Sequence, residues 1–194
     1  MTYPAIDLRA FIEYKLFNSF FTGLSVGSIF TLYTPLEPSV FSLGGVVLAL
    51  VMLVIAKFYV KIMNRRWFYR ISMGVELVML ALVLGFLLFS YGYATALFIY
   101  LGYQVTFSFG SYLVRAETIL IPKRAVLTFL DVAKQKGYLV GMALAYLFYK
   151  ALEQLFGIAE NTLQVYYLHF LLLAVECVTI ALLYKAFRQK SVTA

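Results

Sequence analysis

Six stretches of the chain, at 11–33, 39–63, 67–90, 93–120, 125–152 and 162–187, are mostly apolar and at least as long as the membrane is thick. A helix needs about 20 such residues to cross a bilayer. The breaks between them carry their own signals: TPLEP at 34–38 has two prolines, NRR at 64–66 is a charged tight turn, and SYGY at 90–93 is a short polar turn. IPKR at 121–124 joins a proline to two cations, and FGIAEN at 156–161 is a polar loop. Because each connection is short, successive helices are expected to be antiparallel neighbours in one domain, 1–194, with an all-α polytopic membrane fold. Composition agrees: 13% of residues are charged and mean hydropathy is +0.89, whereas a soluble domain averages about 25% charged residues.

The net charge is +7, and the positive-inside rule explains it better than a nucleic-acid partner does. With both termini in the cytoplasm, the inner segments hold Arg9, Lys15, Lys57, Lys61, Arg65, Arg66, Arg70, Arg115, Lys123, Arg124, Lys185, Arg188 and Lys190. Only Lys150 faces out, and Lys134 and Lys136 lie within a span. The expected location is therefore the inner (cytoplasmic) membrane. The N-terminus MTYPAIDLRAFIEYK is mixed in charge and does not match a cleavable signal peptide.

Catalytic signatures are missing. The chain has one cysteine, Cys177, one histidine, His169, and no HExxH, G-x-S-x-G or phosphate-loop pattern. Of its two aspartates, Asp7 lies in the N-terminal tail and Asp131 in a span, so an intramembrane aspartyl pair is not expected. No enzyme activity, cofactor or metal is expected.

NSFFTGLSVGSIFTLYTPL followed by SLGGVVLALVMLVIAKFYVKIMNRRWFYRIS resembles the first three helices of the major facilitator superfamily. That family carries G-x3-D-R-x-G-R-R between helices two and three. Here Arg65 and Arg66 match its basic pair as a cytoplasmic signature loop, while its glycines and aspartate are absent. A second segment, ETILIPKRAVLTFLDVAKQKGYLVGMALAYLF, is similar to the family's link from helix four to helix five, through Pro122, Arg124, Gly137 and Gly141. The resemblance implies one half of a facilitator: six helices arranged as two inverted three-helix repeats. Full-size members have two such halves, so it also implies a homodimer enclosing a central cavity.

Polar side chains inside a bilayer are costly and turn toward a cavity, a partner or an interface. At 100° per residue, Lys15, Asn18, Thr22 and Ser25 form one stripe on span one. Gly23 and Gly27 make a GxxxG on another face, read as packing within the chain rather than as a dimer seam. On span four, Tyr100, Tyr103, Gln104, Phe107, Ser111, Arg115 and Thr118 share a face, which fits either a cavity lining or a tyrosine-rich helix seam. On span five, Thr128, Asp131, Lys134, Gln135 and Tyr138 share a face, and Asp131 is placed to pair with Lys134. Lys136 points away and must snorkel or find another partner. The resemblance assigns helices one, two, four and five to the cavity, so it implies a solute or ion pathway along these stripes. Span two, almost without polar residues past Ser42, fits that picture least.

Glu76 and Glu176 lie roughly 14–15 Å deep by helical rise, at about the level of Lys134. One layer holding Glu76, Glu176 and Lys134 is expected, with Asp131 and Arg115 about a turn nearer the cytoplasm. Such a network could bind solute, carry protons or lock helices together. His169 is about 10 Å along the axis from Glu176, too far for a direct bond, and reads as a satisfied interfacial histidine. Three functions stay open: a secondary transporter of a small anionic or polar solute, a substrate-binding membrane subunit of a multi-component vitamin importer, and a structural or assembly protein of the membrane.

Overall fold

The computed structural model describes residues 6–121 and 124–188; Pro122, Lys123 and Lys190, used above in the turn and charge arguments, lie outside them. The described residues are helical throughout, without strands: α1 Leu8–Ser25, α2 Ser28–Leu32, α3 Pro38–Lys57, α4 Tyr59–Ile62, α5 Arg65–Leu88, α6 Tyr93–Ser108, α7 Gly110–Leu120, α8 Arg124–Phe156 and α9 Asn161–Phe187. Among the described residues, five segments are long and apolar enough to cross a membrane: Pro38–Lys57, Arg65–Leu88, Tyr93–Leu120, Arg124–Phe156 and Asn161–Phe187. At 1.5 Å per residue, the 33 residues of α8 reach about 50 Å. That exceeds the roughly 30 Å hydrocarbon core, so α8 tilts or projects beyond it.

The first apolar stretch is not among the five. Its leading helix α1 carries Arg9, Glu13 and Lys15, and the stretch is broken at Val26–Gly27 before the short α2. Side-chain hydroxyls mark the break. Thr22 donates to the Asn18 carbonyl, Ser25 to Thr22 and Ser28 to Ser25. Hydroxyls that bond back to the preceding turn compete with the backbone ladder and bend helices. The α6–α7 break repeats the pattern, with Thr106 donating to Tyr103 and Ser108 to Val105.

The centre of the bundle is α1, packed chiefly on α8 and then on α9. The α1–α8 crossing is backbone on backbone. A Cβ at Gly137 would overlap the Leu16 carbonyl oxygen, one at Gly141 the Phe20 carbonyl, and one at Gly23 the Tyr138 carbonyl. Small residues permit this approach. The Gly23 half of the expected GxxxG therefore packs within the chain; a Cβ at Gly27 would meet only Tyr149, at 3.8 Å. At the other extreme, α3 has no buried residue and rests on α6, where the Tyr100 hydroxyl closes against Gly44.

The buried side chains form two main apolar clusters. One gathers Phe21, Leu24, Met79, Phe86, Leu168 and Val175; the other gathers Phe11, Phe68, Tyr112, Leu130 and Leu183. Along α1, α5 and α9 the boundary between them falls between Phe11 and Phe21, between Phe68 and Met79, and between Val175 and Leu183. Asn18, Glu76 and Glu176 occupy those intervals, with Tyr14 at the edge of the second cluster.

Candidate functional site

On α5, Glu76 is 1% exposed, and on α9, Glu176 is 0% exposed. Tyr14 donates its hydroxyl proton to Oε1 of Glu76 at 2.5 Å. The Asn18 amide donates to Oε1 at 3.0 Å and to Oε2 at 3.3 Å. Two donors from α1 thus hold the Glu76 carboxyl. The Glu176 carboxyl interacts with that of Glu76, yet neither of its oxygens has a hydrogen-bond partner. Burying a carboxyl without a donor is costly, most of all in its charged form.

A recess of about 220 Å³ opens beside this pair, between α1, α5 and α6, lined by Asn18, Phe21, Thr22, Ser25, Val26, Ile29, Val75, Glu76, Met79, Tyr103, Thr106 and Phe107. The recess brings together Asn18, Thr22 and Tyr103 of the sequence-derived pathway. Its acidic floor comes from Glu76 on a helix that the resemblance had placed at the flank.

The other charges form a separate cluster. Glu117, 6% exposed at its side chain, accepts from Lys15 at 2.8 Å and from Lys134 through its other oxygen. Lys134 also reaches Asp131 at 3.3 Å, as the spacing of three predicts. The expected layer of Glu76, Glu176 and Lys134 is therefore corrected: Lys134 pairs with Glu117 and Asp131, and Glu76 is held by Tyr14 and Asn18. The cause lies in α1, where the consecutive Tyr14 and Lys15 point about 100° apart, one toward Glu76 and the other toward Glu117. With two lysines and two carboxylates the second cluster is charge-balanced, and it ties α1, α7 and α8.

The remaining pathway residues are dispersed. Tyr100 is buried against Tyr33 and Phe41, its hydroxyl donating to the Phe41 carbonyl at 3.3 Å. The buried Oε1 of Gln104 has no partner. Ser111 and Arg115 line an open groove of about 610 Å³ along α7, with the Arg115 guanidinium 5.6 Å from the centre of the Tyr59 ring. On α8, Asp131, Gln135 and Lys136 are exposed and Tyr138 is half-buried. The long span-four face thus divides between a helix seam, the recess and an outer groove. Arg65 and Arg66 are exposed in the first turn of α5, after Asn64 caps the helix by accepting the Trp67 N–H at 3.1 Å.

His169 is buried, with Nδ1 2.7 Å from the Val165 carbonyl and its ring 4.2 Å from that of Phe86. That is a satisfied core histidine. Sequence reading missed Tyr14 and Glu117. Glu117 was legible in principle, as a carboxylate within an apolar span like Glu76 and Glu176. Among the described residues, no group of three or more His, Cys, Asp and Glu could hold a metal ion. No protein-family model matches the chain, and neither a curated protein nor a solved structure matches it significantly.

Proposed function

We propose that the protein is a secondary carrier of a small solute, a half-size facilitator in which α1 with α2 supplies a sixth crossing and two copies work together by alternating access. The observation that carries this reading is the recess between α1, α5 and α6, which Asn18, Thr22, Ser25, Tyr103 and Thr106 line together with Glu76. Polar groups at membrane depth are costly to retain, and an ionisable one marks a solute or ion path by default. The resemblance of the first three spans and of the link from span four to span five to the facilitator superfamily supports the architecture of two inverted repeats. The cation-rich loops support the inner membrane with both termini in the cytoplasm.

The chemistry of the recess narrows the solute. Lys134, Lys136 and Arg115 pointed to an anionic or polar one. Lys134 is neutralised by Glu117 and Asp131, and Arg115 lies outside the recess. A cationic or neutral polar solute suits Glu76 better. For the Glu117 cluster a structural role is the better reading, since its charges balance and join three helices.

The test is water access. In a Cys177→Ser background, Thr22→Cys reconstituted in liposomes should react with a membrane-impermeant maleimide, while Leu50→Cys on the outer face of α3 should not. A Thr22→Cys as inert as Leu50→Cys would sink the carrier reading. Native mass measurement should give dimers, and monomers alone would remove the two-copy arrangement.

A further inference from the structure

We propose that Glu76 and Glu176 hold one exchangeable proton between them, loaded through the recess at Asn18 and Thr22, and that this proton is what the carrier couples to. The inference rests on the carrier reading and names its coupling ion. The geometry is asymmetric. Glu76 faces two donors, Tyr14 and Asn18, which is the environment of an ionised carboxylate. Glu176 is fully buried and faces none. Two charged carboxylates side by side in a dry interior repel, and a proton on one removes the conflict.

Lys15 brings positive charge near Glu76, whereas no cation is paired with Glu176. From α1, Tyr14 is neutral and donating, and Lys15 has its ammonium on Glu117 at 2.8 Å. From α6, Tyr103 lines the recess. Along α9, His169 is about two turns away and is occupied by the Val165 carbonyl. The short α2, which touches α9, has no titratable side chain. A metal cation fits poorly, because Tyr14 and Asn18 present hydrogens to Glu76 where a cation needs oxygens. A proton needs only the two carboxyls.

Infrared spectroscopy of the full chain in liposomes reads that proton without any solute. The native protein should show the C=O stretch of a protonated, buried carboxyl at neutral pH, shifted down in heavy water. Glu176→Gln should abolish it, Glu76→Gln should shift its frequency without removing it, and Asp131→Asn should leave it unchanged. No such absorption in the native protein, one that survives Glu176→Gln, or one that Glu76→Gln leaves unshifted would overturn the proposal. So would its loss when sodium is added at constant pH. If Glu176→Gln does not fold, the native spectrum and Glu76→Gln still decide. Because this readout is independent of maleimide labelling, a missing proton with Thr22→Cys still reactive defeats the coupling site alone.

Discussion

The Tyr14 hydroxyl and Oε1 of Glu76 meet at 2.5 Å although 62 positions separate them in the chain. This bond joins α1 to α5 at the polar seam between the two apolar clusters. A hydrogen bond to a charged group contributes about 1.5–3 kcal/mol. Tyr14→Phe should lower stability by that amount in reversible unfolding from mixed detergent micelles. Combined with Glu76→Gln the loss should fall short of the sum, because both changes remove the same bond.

The α1–α8 crossing predicts a sharp contrast between glycines. Gly137→Ala or Gly141→Ala places a methyl against backbone carbonyl and amide atoms, and overpacking of that kind costs about 1–3 kcal/mol. Gly45→Ala, whose Cβ would meet nothing within 4 Å, should show no loss in the same unfolding assay.

Glu117 and Asp131 both accept from Lys134 but should differ in consequence. Removing Glu117 strands the Lys15 ammonium and leaves Lys134 only the exposed Asp131, and breaking a buried pair costs about 3 kcal/mol or more. Asp131 is 73% exposed at its side chain, and exposed pairs contribute less than about 1 kcal/mol. Thermal unfolding of Glu117→Gln and Asp131→Asn should separate clearly. Equal losses would show that the two carboxylates carry the cluster alike.

His169→Leu removes one local hydrogen bond, with a net cost of about 1 kcal/mol. Maleimide labelling of Thr22→Cys and the carboxyl infrared absorption should both be unchanged. Loss of that absorption in a folded His169→Leu would make the histidine part of the proton path.

Much of the helix layout was legible, because a lipid-embedded helix announces itself by length and apolarity. The Asp131–Lys134 pair was legible because spacing of three places side chains on one face. What failed were relations between helices. Lys134 was matched to Glu76 and Glu176 by depth alone, and depth does not say which side of α1 a side chain is on. The break at Val26–Gly27 went unread because it arises from hydroxyls turning back on the helix, in a stretch that stays apolar. Between α3, with no buried residue, and α9, with many, the sequence differs only by a few polar side chains such as His169 and Glu176, so apolarity itself reports lipid compatibility and not neighbours.

The glycine contact between α1 and α8 has a mechanical consequence. With main chain against main chain and no side chain between them to yield, the two helices must travel as a single beam. Any rocking motion has to be taken up at joints elsewhere, and α3, which buries none of its residues, is the helix least tied to that beam.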